Sequence, residues 1–98
     1  MAQIIDVVRT APGKFRVTVK ESGGQSSHLV SLQVDYYQDL TGGKVREEDL
    51  INQSFQFLLR HEPKESILSE FDLSVISRYF PKYEAEIKAR FGANPPSK

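Results

Sequence analysis

The chain has 98 residues, with 13 basic and 13 acidic side chains and no cysteine. This length predicts one domain with a hydrophobic core of its own, and the lack of cysteine excludes disulfides, thiolate nucleophiles and thiolate metal sites. The balanced charge provides no net attraction to nucleic acid or to an anionic membrane, so it disfavours non-specific binding to either.

The first residues carry no targeting or membrane signal. Their apolar run lacks a basic flank and is interrupted by Asp6, and no other stretch approaches the ~20 apolar residues of a membrane span. We therefore expect a cytoplasmic protein that does not contact the membrane.

Three segments in the first third of the chain have the alternating pattern of β-strands, with turn sequences at Pro12-Gly13 and Gly23-Gly24 between them. We predict strands at residues 3–9, 14–20 and 27–34. The second strand has the clearest pattern, because an apolar face alternates with a basic row formed by Lys14, Arg16 and Lys20. This row could bind phosphate or an acidic partner, but the favoured interpretation is a solvated sheet face with lysines that protect its edge.

After residue 34 the pattern changes to helical spacing, with glycine and proline at the corners. Gly42-Gly43 is a helix stop, Pro63 and Pro81 suit the first turn of a new helix, and Asp72 is a candidate N-cap. We predict five helices, at residues 35–40, 46–61, 63–70, 73–80 and 81–91.

The predicted fold class is α+β, with a three-stranded antiparallel meander followed by short helices packed on one face of the sheet. A single domain covers residues 1–92. We predict a disordered tail at residues 93–98, because this segment has two prolines and no large apolar side chain.

The densest run of ionisable groups is His61-Glu62-Pro63-Lys64-Glu65-Ser66. These are residue types that serve acid–base catalysis, but neighbours at a helix corner generally point apart, and the helix dipole stabilises a histidine in the last turn. We interpret the run as a structural corner and leave a functional role for its ionisable residues open: His61, Glu62, Lys64 and Glu65.

Motifs for catalysis, cofactors and metals are missing from the sequence. His28, expected at the rim of the apolar sheet face, and His61 do not have a ligand spacing, and the paired glycines lack a phosphate-binding pattern. We predict no catalytic residue, no cofactor and no metal, and a protein that is not an enzyme.

Aromatic residues occur in adjacent pairs within the predicted helices. Successive helical residues differ by 100° in direction, so one member of each pair can enter the core while the other stays exposed. Tyrosine and arginine are favoured at protein interfaces. The candidate interaction surface therefore consists of Tyr36, Tyr37, Phe57, Arg78, Tyr79 and Phe80.

Two runs in the second half, Glu-Pro-Lys-Glu-Ser-Ile-Leu at 62–68 and Arg-Tyr-Phe-Pro at 78–81, are distinctive. With the residues around them they resemble the helical ending of short bacterial proteins that have a β-rich front. The resemblance extends over about residues 34–87 and implies this architecture in a bacterial protein. That group has no established activity, so it implies no function.

The segment from His28 to Leu59, with one strand, a short helix, a glycine-rich turn and an amphipathic helix, resembles ribbon-helix-helix DNA-binding antitoxins. The resemblance implies a dimer of paired strands with Leu29, Ser31 and Gln33 in the major groove. Two earlier strands would compete for that pairing, and the neutral charge gives little attraction to phosphate.

Three functional hypotheses remain. The favoured one is a small non-catalytic protein-binding or adaptor domain, with an unknown protein partner and homodimerisation as an alternative. The second is a nucleic-acid-binding protein or antitoxin-like regulator, which requires basic side chains gathered on one face. The third is a small enzyme, which requires a pocket where His28 or His61 meets a carboxylate.

Overall fold

Four strands form one sheet in the computed structural model, which describes residues 3–91. Their bounds are β1 Ile4–Ala11, β2 Lys14–Glu21, β3 Gly24–Ser31 and β4 Glu70–Asp72. The first three pair as an antiparallel meander, and β4 pairs parallel to β3. β1 and β4 are therefore the two edges of the sheet.

In the described part of the chain, four α-helices and two 3₁₀ turns follow the meander. The helices are α1 Val34–Thr41, α2 Glu47–His61, α3 Ile76–Tyr79 and α4 Tyr83–Phe91, and the 3₁₀ turns are Lys64–Ser66 and Leu73–Val75. The predicted α+β fold, with three antiparallel strands before the helices, is confirmed. Within residues 3–91 no helix is long and apolar enough to cross a bilayer.

The helices cover one face of the sheet, as the alternation in β2 predicts. Phe15, Val17 and Val19 are fully buried against them. The residues between these three lie on the other face, which we call the open sheet face: Arg16 is exposed and Thr18 is partly buried. Val8 and Leu29 are exposed on the same face. Burial of the apolar row supplies the main driving force for attaching the helices to the sheet.

Two elements differ most from the sequence-based predictions, and most other bounds differ by one to three residues. The third strand spans Gly24–Ser31 instead of 27–34, because the turn uses only two residues and Gly24 already pairs with Glu21. The helix predicted at 63–70 is wrong beyond its first turn: only Lys64–Ser66 is helical, and Glu70–Asp72 is a strand.

The helix caps predicted at Asp72 and Gly42 are confirmed. Asp72 accepts a hydrogen bond from the Ser74 amide at 3.1 Å and begins the 3₁₀ turn that leads into α3. Gly42 ends α1 in the left-handed conformation, with φ of 68°. The predicted tail at 93–98 lies outside the described residues.

Candidate interaction groove

An open apolar groove lies between the C-terminal end of α2, the segment that follows it, and α3. Its cavity volume is about 400 Å³, within the range of ligand sites. We call this feature the groove; its lining residues are Leu58, Glu62, Ser66, Ile67, Leu68, Phe71, Val75, Ile76, Tyr79 and Phe80.

The groove forms because β4 draws the segment after α2 back to the sheet. Pro63 cannot continue α2, so the chain turns away from the helix there. The Leu29 amide then donates to the Ser69 carbonyl at 2.8 Å, and Phe71 pairs with Val30 in the core. The two distinctive runs, 62–68 and 78–81, are consequently brought to opposite sides of one groove.

Lys64 anchors the corner that forms one end of the groove. Its Nζ lies 2.7 Å from Glu65 Oε2 and 3.1 Å from Glu21 Oε1 at the end of β2, and its side chain is only 8% exposed. These hydrogen bonds, with Glu65 first, raise the pKa of Lys64, and the bond to Lys64 lowers the pKa of Glu65. Lys64 therefore fixes the corner to the β2–β3 hairpin.

His28 supports the same segment from inside the core instead of lying at the rim of the sheet. Its Nδ1 is 2.8 Å from the Leu68 carbonyl and its Nε2 is 2.8 Å from Ser26 Oγ. Because a carbonyl only accepts, Nδ1 carries the proton and Nε2 accepts from the serine hydroxyl. Nδ1 thus holds the Leu68 carbonyl in place, and the contact with Ser26 orients the ring.

Phe57 and His61 support the wall of the groove from behind. The Phe57 ring lies 5.6 Å from Phe80 and 5.4 Å from Tyr83, and the His61 ring lies 5.1 Å from Phe80. Phe57 is only 2% exposed and offers no accessible surface. These contacts hold Phe80 at the groove through packing.

Neither histidine meets a carboxylate in the part of the chain that the structure describes, because none of the hydrogen bonds and ion pairs found there joins them. Among the same residues, no group of three histidine or carboxylate side chains could hold a metal ion. The dense ionisable run at 61–66 is divided between two tasks: Lys64 forms an ion-pair anchor, and His61 packs against aromatic rings.

The other predicted surface residues divide between the groove and hydrogen-bonded positions elsewhere in the helical layer. Tyr79 and Phe80 line the groove, and the exposed Arg78 precedes them in α3. Tyr36 instead donates to Glu84 at 2.8 Å, and Tyr37 donates to the Val45 carbonyl. Burial and the bond to Glu84 raise the pKa of Tyr36 far above its ordinary value. Both hydroxyls therefore join elements within the chain.

The rest of the groove lining was not among the predicted site residues. Leu68 is the most informative omission, because it is 48% exposed at the rim although its pattern is that of a buried position. The two distinctive runs were a signal for this region. Their convergence could not be inferred, because it depends on β4.

The basic row of β2 lies on an open sheet face of mixed charge. Lys20 pairs with Asp6 at 3.3 Å, and the strand register puts Glu70 and Asp72 on this face beside Leu29 and Ser31. Carboxylates thus interrupt the basic side chains. β4 pairs with Leu29–Ser31 of β3, which is the part that the antitoxin resemblance would place in the ribbon, and β2 pairs along the other side of β3.

Comparisons of the chain with protein-family models, with curated proteins and with solved structures found no match.

Proposed function

We propose that the chain is a non-catalytic protein-binding domain that receives a partner segment in the groove. The observation that carries the proposal is an open apolar cavity with two large side chains exposed at its rim. Tyr79 is 67% exposed and Leu68 is 48% exposed. Exposed apolar side chains around a concave site are typical of interaction surfaces.

The groove also indicates the chemistry of its partner. Its floor, formed by Leu58, Phe71 and Ile76, takes bulky aliphatic or aromatic side chains. Glu62 adds a carboxylate at one end, and no ion pair neutralises it among the described residues. We therefore infer a partner segment with bulky apolar residues flanked by a basic residue, in the cytoplasmic setting that the sequence predicts.

Contacts within the chain hold the walls of the groove in place before a partner binds. Lys64 fixes the corner, His28 fixes the rim at Leu68, and Phe57 fixes the Phe80 side, all through contacts that need no ligand. Such preorganisation lowers the entropy cost of association, because the receptor has fewer groups to order when the partner arrives.

The test is a selection of random peptides displayed against the full chain, followed by anisotropy titration of the recovered peptides. We expect recovered peptides to be apolar with a basic flank. Leu68→Glu should weaken them by about tenfold or more, since a charge then enters an apolar contact. Tyr79→Ser should weaken them similarly.

The matched control is Val8→Glu, which places the same charge at an exposed apolar position on the open sheet face. It should leave the affinity unchanged within about twofold, because Val8 lies outside the groove. The groove is refuted as the binding site if no apolar peptide with a basic flank is recovered, or if such peptides bind Leu68→Glu and Tyr79→Ser as tightly as the unaltered chain.

A further inference from the structure

The outer edge of β1 is a second surface able to bind protein. Among residues 3–91, β1 pairs with β2 on one side only. Its eight residues include four large aliphatic side chains: Ile4, Ile5, Val7 and Val8. Ile4 and Val8 are more than half exposed on the open sheet face. A long apolar edge strand is a template for pairing with another strand.

The direction of the backbone groups along this edge follows from the register. The Leu29 amide donates toward β4, so the backbone amides and carbonyls of its neighbours His28 and Val30 point toward β2. The backbone hydrogen bonds of an antiparallel strand point alternately to its two neighbours, so the amides and carbonyls of Arg16 and Thr18 in β2 point toward β1. The same alternation leaves the amides and carbonyls of three β1 residues facing outward: Ile5, Val7 and Arg9.

An amide side chain already makes one of these outward bonds. Asn52 Nδ2 of α2 donates to the Ile5 carbonyl at 3.4 Å, a long contact, and Asn52 Oδ1 accepts from Gln56 at 2.6 Å. This places the Ile5 carbonyl at the edge, as the alternation requires. A strand amide could replace the weak Asn52 bond at little cost.

A polar cleft lies beside this edge on the helical side. Its volume is about 440 Å³, and its lining residues are Gln3, Ile5, Asn52, Gln56, Arg60 and Arg90. Arg60 and Arg90 both form ion pairs with Glu86, and the distance from Arg90 Nη2 to Glu86 Oε2 is 3.7 Å. Two guanidinium groups therefore share one carboxylate. The cleft therefore retains a positive charge next to three amide side chains.

We propose that β1 docks an extended acidic segment of a partner protein, which adds a fifth strand to the sheet. Outward groups of Ile5 and Val7 would pair with its backbone, and the residue opposite Ile5 would direct its side chain to the helical side. An aspartate or glutamate at that position would meet Arg60 and Arg90 in the cleft. The backbone ladder supplies affinity, and the cleft selects the charge.

A second copy of the chain fits this edge poorly. If two copies paired through β1, the outward backbone groups of one copy would bond to those of the other, so Ile5 would lie opposite Ile5, Val7 or Arg9 of the second copy. The side chain opposite Ile5 would share its face of the sheet and therefore point toward the cleft. None of these three residues is acidic. The register that pairs all three puts Arg9 of the copy against the positive cleft, where like charges repel.

The test separates this edge from the groove. Random peptides are displayed against the full chain carrying Leu68→Glu, which disables the groove, and recovered peptides are titrated by anisotropy. We expect acidic peptides. The double variant Arg60→Gln and Arg90→Gln should bind these peptides about tenfold more weakly, because it loses the charge-assisted contact with their carboxylate. Added salt should also weaken the binding of these peptides to the chain.

Val7→Pro tests the backbone ladder, because it removes an outward amide and spares the bonds to β2. Val7→Pro should abolish peptide binding. If Val7→Pro fails to fold, the double variant Arg60→Gln and Arg90→Gln still decides the test. The proposal is overturned if no peptide is recovered, if recovered peptides carry no excess of carboxylates, or if the arginine variant binds them fully. Self-association of the full chain through β1 also overturns it.

Discussion

The buried pair of Tyr83 and Ser54 gives the sharpest stability prediction. Tyr83 is fully buried at the start of α4, and its hydroxyl lies 2.6 Å from Ser54 Oγ on α2. Ser54 Oγ donates to the Leu50 carbonyl at 2.8 Å, so the tyrosine hydroxyl is the donor between the pair. This hydrogen bond joins the last helix to the layer that carries the groove.

The two single substitutions act differently on this bond. Tyr83→Phe removes the donor and one net hydrogen bond, at a cost of about 1 kcal/mol. Ser54→Ala leaves a buried hydroxyl without an acceptor, which costs about 1–3 kcal/mol, offset by up to about 0.5 kcal/mol from the helix propensity of alanine. The double variant has no stranded hydroxyl, so it should be about 1 kcal/mol more stable than additivity predicts.

Urea unfolding followed by circular dichroism on the four proteins measures this coupling. The slope of the free energy of unfolding against urea should be the same in all four, since the surface exposed on unfolding does not change. Additive effects, with no coupling beyond about 0.3 kcal/mol, would refute the hydrogen bond between the two helices.

Three further predictions concern other parts of the chain. Burial raises the pKa of Tyr83, so ionisation of this residue on unfolding should lower stability above about pH 10 by about 1.4 kcal/mol per pH unit, in addition to the contribution of Tyr36. Tyr83→Phe should remove the Tyr83 component in alkaline urea titrations. Gly13→Ala should cost about 1–2 kcal/mol in thermal unfolding, because φ is +71° and a Cβ would lie 3.2 Å from the Leu32 carbonyl; Gly23→Ala, with open space and no positive φ, should cost little. The lowered pKa of Glu65 adds stability that is present above its ordinary pKa and lost as pH falls through the folded value, and Lys64→Met should reduce this acid sensitivity in unfolding measured from pH 6 to pH 3.

The elements that the sequence predicts correctly are those with long local patterns. The alternation in β2 and the apolar stripe of α2 each extend over eight residues or more, and their burial follows the pattern. The caps at Gly42 and Asp72 are also local and were found. Local signals therefore predicted the fold class and most element bounds.

The segment after α2 could not be predicted from its own residues. β4 has only three residues, which are too few to show an alternating pattern. It forms because Leu29 and Val30 offer it a strand edge from 41 positions earlier in the chain. The same long-range pairing turns Leu68 outward and creates the groove. Tyr79 and Phe80 were found as single interface candidates, but the cavity that unites them with Leu68 depends on tertiary structure.

The most direct measurement of the central claim is a two-dimensional amide NMR titration of the labelled full chain with a groove-selected peptide. We expect shift changes clustered at the groove, in residues 66–71 and 75–80, with β1 and β2 unaffected. The same peptide added to Leu68→Glu should produce no clustered changes. Shift changes centred on the open sheet face, or spread evenly over the chain, would contradict the assignment of the groove as the protein-binding site.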